Sequence, residues 1–309
     1  MRILVVGAGA LGILFAGVMS RHGGDVTILT RRREAAEAIS SNGVIINEGK
    51  SSWRAWPNCT TDPRTASSTD LCLICVKSYD TETVARMVSP YLNERCIIAT
   101  VQNGLNNVER LAEAFGPERV VAGYTLQAST LTGLNSVYHA YDGETVLGRH
   151  PSTTTPVEKI GRVADELTRM GLKTSAVENV YPEVLTKLII NSVINPLTAL
   201  LGVRNGELLE VQELSWVIDR LVEEGVEACY LLGAKLSPGQ VKSRVYEAIK
   251  ATYENKSSML QDIERGRRTE IEFINGALAR ILRAAGRPAP TNTLLTQLVL
   301  AAERKGRRS

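Results

Sequence analysis

Histidine is scarce in this chain of 309 residues: His22, His139 and His150 are the whole supply. Any acid–base chemistry must therefore draw on other side chains. Cysteine is also sparse and odd in number, at five, which suits a reducing cytoplasm better than a disulfide framework. Cys72 and Cys75 do form a C-x-x-C, but within Leu71-Cys-Leu-Ile-Cys-Val76, a run that reads as a buried strand and assigns both thiols to packing. No apolar run approaches the roughly 20 residues of a membrane span. The first strand begins at residue 2 or 3, which leaves no room for a signal peptide and points to the cytoplasm. A net charge of +3 is too small to imply nucleic acid or a membrane surface as partner. Much of that excess lies in Arg304-Lys305-Gly306-Arg307-Arg308, expected to be a frayed tail. What remains, 44% apolar and 22% charged residues, is the composition of an ordinary globular protein, long enough for two domains.

The most informative feature present is Met1-Arg-Ile-Leu-Val-Val-Gly7-Ala8-Gly9-Ala10-Leu11-Gly12. A short apolar run leads into G-x-G-x-x-G, and a helical pattern (Leu11, Leu14, Phe15, Val18) follows. Gly7 permits the strand-to-helix turn, Gly9 lets backbone approach a pyrophosphate, and Gly12 lets helix and strand pack closely. The helix N-terminus then presents unpaired N–H groups and a positive dipole end to the phosphates. A second strand ends Leu29-Thr30-Arg31-Arg32-Arg33, where an NAD site would place an acid for the ribose 2′-hydroxyl. Asp25 stands at the wrong end of that strand. The arginines could form a solvated loop, but their position favours NADPH, with Arg31 gripping its 2′-phosphate through a charge-assisted pair.

Strands are predicted at 2–7, 25–30, 70–76, 96–102 and 119–126, with helices at 10–22, 79–88 and 105–115. This alternation predicts an α/β fold with an N-terminal Rossmann-type parallel sheet over residues 1–177. Residues 43–56 read as irregular chain or short antiparallel strands, and an antiparallel pair is expected around 136–148. Thr155-Pro156-Val157-Glu158 reads as a capping box opening a helix toward Met170. Beyond about Tyr181 helical periodicity dominates, near 181–201, 206–232, 238–264, 269–285 and 291–303. Residues 178–309 are therefore expected to form an all-helical substrate and dimerisation domain, with substrate meeting nicotinamide in a cleft between the domains.

Lys187, Asn191 and Asn195 fall at i, i+4 and i+8 of an otherwise apolar helix. Such a stripe must face water or line a polar cavity, because burying it unpaired is costly. Its charge-poor surroundings favour the cavity.

Lys187-x-x-x-Asn191-x-x-x-Asn195-Pro196, Asn205-Gly206-Glu207-Leu208, Asn255-x-Ser257-Ser258-Met259 and Thr269-Glu270-Ile271-x-x-x-Asn275-Gly276 resemble the ketopantoate reductase (2-dehydropantoate 2-reductase) family. So do the glycine fingerprint, Lys77 and Asn103-Gly104. The resemblance covers nearly the whole chain. It implies NADPH-dependent reduction of ketopantoate to pantoate, on the way to pantothenate and coenzyme A. It implies Lys187 as general acid, with Asn191, Asn195, Asn205, Ser258, Glu270 and Asn103 contacting substrate. Ser258 would serve the carboxylate and Glu270 the 4-hydroxyl. Lys77, Asn103 and Ser129 join Gly7–Gly12 and Arg31 as implied cofactor contacts. The implied partner is a small molecule, no metal is called for, and a homodimer is admitted. Two rivals stay open: a sister reductase of another branched 2-oxo or 3-hydroxy acid, and a non-catalytic NADPH-binding regulator. Asn195-Pro196, Ser257-Ser258 and Thr269-Glu270 favour ketopantoate, and a regulator would have no need of the Lys187 stripe.

Overall fold

The computed structural model describes residues 1–306, which separate into two compact units. One comprises Met1–Gln102 and Asn106–Tyr181; the other comprises Asn103–Leu105 and everything from Pro182. The division thus falls a few residues beyond the expected 177/178 boundary. It also assigns the short Asn103–Leu105 segment to the helical unit.

The first unit opens with β1 (Arg2–Val6), α1 (Ala10–Arg21), β2 (Asp25–Leu29) and α2 (Arg33–Asn42). Then come β3 (Val44–Glu48), β4 (Ser51–Ala55), β5 (Asn58–Thr60), β6 (Leu71–Ile74), α3 (Thr81–Val88), β7 (Ile97–Thr100) and α4 (Asn107–Phe115). It closes with β8 (Val120–Thr125), β9 (Ala128–Leu131), β10 (Ser136–Tyr141), β11 (Thr145–Arg149), α5 (Val157–Arg169) and β12 (Thr174–Asn179). The larger sheet runs β12-β11-β8-β7-β6-β1-β2-β5. From β5 to β8 it is parallel throughout, with the strand order of a dinucleotide-binding doubly wound fold. β11 turns antiparallel to β8, and β12 lies parallel to β11. The inner strands read as unbroken apolar runs because helices cover both faces; Leu71, Cys72, Leu73 and Ile74 are all buried.

A second sheet, β4-β3-β10-β9, explains an oddity of α1. That helix is apolar almost all round, and it packs on β1 and β2 on one side and on all four strands of the small sheet on the other. Gly17 is the point of closest approach, since a Cβ there would lie 3.0 Å from Val44 and 3.1 Å from Ile46. By contrast, α5 has one covered side, and its buried Ile160, Val163, Ala164 and Leu167 form a single stripe.

Several expectations need correction. β10 and β11 do not pair with each other: β10 joins β3 and β9, while β11 joins β8 and β12. The capping box is absent. Pro156 is itself the N-cap residue of α5, and the Thr155 hydroxyl donates instead to the Val120 carbonyl at 2.7 Å. Arg304 and Lys305 continue the final helix rather than fraying, while Arg307 and Arg308 lie outside the described residues.

The second unit contains α6 (Tyr181–Leu201), α7 (Leu214–Leu231), α8 (Pro238–Ala251), α9 (Ser258–Glu264), α10 (Asn275–Ala284) and α11 (Pro290–Gly306). Expected helices 206–232, 238–264 and 269–285 are each broken, the first and last by 3₁₀ turns at Gly206–Leu209 and Ile271–Phe273. α6 is long and apolar enough to cross a membrane by length and composition, which corrects the expectation of no such segment. Two thirds of it is nevertheless buried inside the protein, as for a core helix.

Pro196 sits in the interior of α6 and, lacking an N–H, leaves the Ser192 carbonyl without its helical donor. The Asn275 amide supplies one, at 2.8 Å. Its second N–H donates to Asn292 Oδ1 at 3.0 Å, and Asn292 Nδ2 donates to buried Glu224 at 2.8 Å. Glu224 also accepts the backbone N–H groups of Thr291 and Asn292, both at 2.9 Å, and so caps α11 from α7. A carboxylate at a helix N-terminus is a favourable charge placement.

Candidate functional site

In the first unit the glycine loop leaves the C-terminal end of β1, beside the point where strand order reverses between β1 and β6. Open α/β sheets bind ligands at that position. Gly7 adopts φ +114° and donates its N–H to the Leu29 carbonyl at 2.9 Å. A Cβ on Gly12 would sit 1.9 Å from the Gly7 oxygen, so no side chain fits. At Gly9 a Cβ would meet only the Cys75 oxygen, at 3.9 Å, leaving the approach to the loop open. No side chain among the described residues caps the first turn of α1, and that turn carries no acid. These features fit a pyrophosphate: backbone donors face it, and nothing negative in that turn opposes it.

The three arginines after β2 diverge. Arg31 pairs with Asp80 at 2.7 Å and stays half exposed. Arg32 turns back, its guanidinium donating to the Ala8 carbonyl at 2.5 Å in the glycine loop. Arg33 pairs with Glu37 one helical turn ahead. Lys77 is half-buried just beyond β6. Below it, Asn107 Nδ2 donates to Ser78 Oγ at 3.0 Å and Thr81 Oγ donates to Asn107 Oδ1 at 2.8 Å. Gln102 donates to the Val76 carbonyl (2.7 Å) and to Thr81 Oγ (2.9 Å). It thereby ties the ends of β6 and β7 to α3. Ser129 lies on β9 of the smaller sheet, opposite His139, in the strand layer that packs on α1.

The cysteines do what packing requires. Burial raises the Cys75, Cys96 and Cys229 thiols to about 12, and all five cysteines are free. A thiol held protonated is a poor nucleophile. All three histidines belong to this first unit, and burial lowers His150 to about 4.

The helical unit holds the polar stripe. Lys187 keeps part of its surface accessible, yet the protein packed around its amine removes enough water to push it down to about 8. The Glu270 carboxylate acts in the opposite direction, favouring the charged amine. Glu270 is buried, immediately before the 3₁₀ turn Ile271–Phe273. One turn along α6 from Lys187, Asn191 donates to Asn103 Oδ1 at 3.3 Å. Asn103 is held there by its neighbours: the Leu105 N–H donates to the Phe273 carbonyl at 3.0 Å. Gly104, at φ +83°, lies so near Phe273 that a Cβ would be 2.9 Å away. The turn bearing Glu270 and the strand-end segment bearing Asn103 thus share one anchor, Phe273. Asn195 follows, buried, on the next turn.

Asn205 and Ser258 gather toward the other end of α6. Asn205 is buried, donates its N–H to the Asn255 carbonyl and its amide to Thr252 Oγ, both at 2.9 Å, and leaves Oδ1 without a partner. Ser258 is exposed at the first position of α9, and it is Ser257 that caps that helix by accepting from Leu260 N at 3.1 Å. Thr198 donates to Ser257 Oγ at 2.7 Å, fixing α9 against α6. Thr198 is eleven residues beyond Lys187, about 16 Å along a helix axis. Asp80 and Phe273 escaped the sequence reading, and so did the contacts of Arg32 and Thr269, which it named only as members of motifs. Only the Asp in Lys77-Ser-Tyr-Asp80, at the switch-point edge, carried a signal that could have found one of them.

Comparison with known proteins completes the description. A family model described as ketopantoate reductase PanE/ApbA matches residues 3–152, and its C-terminal counterpart matches 179–303. The 2-dehydropantoate 2-reductase of Halobacterium salinarum is 33% identical over 310 residues, spanning 99% of this chain and 100% of that one. That of Pyrococcus horikoshii is 34% identical, with 99% of each covered. Among solved structures, a PanE/ApbA family ketopantoate reductase from Ralstonia eutropha superposes with TM-score 0.89 at 27% identity, covering 99% of both chains. A D-mandelate dehydrogenase with NADH and anilino(oxo)acetate reaches 0.92 at 22% identity, likewise over 99% of both, a likeness of fold.

Proposed function

The chain belongs to the ketopantoate reductase family, and from that premise we propose that it reduces 2-dehydropantoate to pantoate with NADPH. The observation that carries the reading is the amine of Lys187, brought to about 8 on a face shared with Asn191 and Asn103 and biased by Glu270. When bound, the dinucleotide supplies the hydride. The Gly7–Gly12 backbone and the first turn of α1 suit its pyrophosphate, Arg31 its 2′-phosphate, and Lys77, just beyond β6, suits a further contact to it.

The rest is the work of the helical unit. As the carbonyl carbon is reduced, negative charge grows on its oxygen, and a protonated Lys187 beside that oxygen stabilises the transition state more than the ground state. An amine near 8 is still mostly protonated at neutral pH and gives up its proton more readily than an ordinary lysine. Asn191 and Asn195 orient substrate oxygens without adding charge. The spare acceptor of Asn205 suits a hydroxyl, and the Ser258 hydroxyl suits the carboxylate. Glu270 would repel that carboxylate, so its use is at the far end, accepting from the 4-hydroxyl.

NADPH oxidation against a panel of 2-oxo acids tests the reading. Ketopantoate should outrun 2-oxo-3,3-dimethylbutanoate, which keeps the quaternary carbon and lacks the hydroxyl, by about 10² or more. Glu270→Ala should shrink that ratio by hurting the first substrate far more. NADPH binding without turnover of any 2-oxo acid would leave the regulator reading in its place.

A further inference from the structure

Glu303 sits on the last turns of α11, only 6% exposed, and accepts two hydrogen bonds from Thr269: the backbone N–H at 2.9 Å and the hydroxyl at 2.6 Å. Thr269 Oγ in turn accepts from Ile271 N at 3.2 Å. A buried carboxylate is costly to desolvate, and two donors on one residue are the arrangement that offsets the cost while fixing geometry. The residue after Thr269 is Glu270. Its carbonyl accepts from Phe273 N (2.9 Å) and Ile274 N (3.1 Å), so the whole turn is hydrogen-bonded from 269 to 274.

The other end of α11 is held by Glu224, and through Asn292 and Asn275 it reaches the Ser192 carbonyl of α6. A continuous path therefore runs from α6 through Asn275 and Asn292, along α11, to Glu303, Thr269 and Glu270. The flanking charges, Arg268 and Glu272, pair with each other at 2.7 Å on the surface.

We propose that Glu303 is a positioning residue: by clamping Thr269 it sets the Glu270 carboxylate relative to Lys187, with α11 as the strut that refers both to one frame. The inference rests on the catalytic reading of Lys187 and Glu270, and it extends that reading to a residue 33 positions beyond Glu270 (303 minus 270). A buried glutamate that merely filled space would not need both donors of one threonine.

The test uses the full chain and a readout that does not need turnover. The amine of Lys187 is titrated by competitive acetylation across pH, with the modified peptide quantified by mass spectrometry. In the wild type the midpoint is expected near 8. Glu303→Ala should displace Glu270 and lower the midpoint by about half a unit, because the carboxylate that favours the charged amine is no longer held in place. Glu303→Gln keeps one acceptor and should recover part of the shift. Glu270→Gln should lower the midpoint as well, and adding Glu303→Ala to it should change nothing further. In turnover, Glu303→Ala should raise KM for ketopantoate roughly tenfold, as for a lost charged hydrogen bond, while leaving 2-oxo-3,3-dimethylbutanoate nearly unaffected.

If Glu303→Ala does not fold, Thr269→Val, which removes the hydroxyl's bonds to Glu303 and from Ile271 N but keeps the backbone donor, should give a smaller shift of the same sign. A folded variant with lower Tm but an unmoved Lys187 midpoint and unchanged substrate discrimination overturns the proposal. A moved midpoint in a protein that turns over no 2-oxo acid leaves the clamp standing and sinks the catalytic reading instead.

Discussion

The glycine loop of the first unit and the α6 face of the second are built on opposite plans. The loop is made of backbone: its specificity lies in where side chains are forbidden, as at Gly12, and where an approach is left open, as at Gly9. The α6 face is made of side chains whose chemistry depends on neighbours from far along the chain: Asn103, Glu270 and, behind them, Asn275 and Glu303. A site of backbone donors needs little help beyond its own turn. A buried amine needs a desolvating wall, a counter-charge and a rigid frame; here the counter-charge comes from Glu270, just before the 3₁₀ turn Ile271–Phe273, and the frame from α10 and α11.

The sharpest break in that comparison is Lys187→Ala. It should lower turnover by about 10²–10⁴, the range for a lost general acid, with NADPH affinity and fold retained. Lys187→Arg should rescue little, since a guanidinium keeps the charge but does not release a proton near neutrality. The wild-type rate should fall as pH rises past about 8, because only the protonated amine donates, and the alanine variant should lack that limb. Stability should move the other way. The folded amine titrates near 8 and the unfolded one near 10.5, so the unfolded chain binds more protons between those values. Folding stability should therefore rise with pH across that window while activity falls, and Lys187→Met should flatten the stability change. A rate limb that survives in Lys187→Ala sends the search for the donor elsewhere, first to Lys77.

Asn275→Leu attacks the frame rather than the chemistry. It strips the Ser192 carbonyl of its substitute donor at the Pro196 break and leaves Asn292 Oδ1 unpaired. Each buried polar group left unsatisfied costs about 1–3 kcal/mol, so stability should drop by roughly 2–4 kcal/mol in denaturant unfolding. Pro196→Ala on that background should recover part of it, because residue 196 then supplies the helical N–H itself. No recovery would show that the Asn275 amide serves α11 rather than α6.

These two residues also mark where sequence reading stops. The loop was legible because glycine spacing between strand and helix is itself the mechanism: Gly7 takes the positive φ of the turn, and Gly12 leaves no room for a side chain against it. Lys187, Asn191 and Asn195 were legible as a stripe, because polar residues at helical spacing in apolar sequence are conspicuous. Nothing local announced that Asn275 answers Pro196 or that Glu303 answers Thr269, since those pairs are set by tertiary packing. The fold divides similarly. Inner parallel strands announce themselves by apolar runs, but β12, Thr-Ser-Ala-Val-Glu-Asn at a sheet edge, is mostly exposed and polar, and it passed unread. α2 was missed because only Ala35, Ala36 and Ile39 are buried, too few and too small to make a clear stripe. The expected pairing of residues 136–148 failed because sequence neighbours are the default partners for strands, whereas β10 and β11 serve different sheets.

The edge of the glycine loop offers the smaller tests. Arg31→Ala should weaken NADPH by roughly 1.5–3 kcal/mol, as for a lost charged hydrogen bond, and leave NADH nearly unchanged. Equal loss for both cofactors would remove Arg31 from the 2′-phosphate.

The Arg31–Asp80 pair makes a finer prediction of opposite sign. At 2.7 Å Asp80 occupies the same guanidinium that a 2′-phosphate would use, and its own charge would repel that phosphate. Arg31 is half exposed, so the pair is worth only about 0.2–1 kcal/mol. A doubly charged phosphate competes well against it, but not without cost. Asp80→Asn should therefore tighten NADPH two- to fivefold, as read by fluorescence titration, with NADH unmoved; that gain corresponds to roughly 0.4–1 kcal/mol. The gain should shrink in high salt, which screens both the pair and the repulsion. It should also largely vanish on an Arg31→Ala background, where there is no guanidinium to release. If Asp80→Asn weakens NADPH instead, Asp80 is holding Arg31 in the orientation the phosphate needs, and the pair is part of the site rather than a competitor for it.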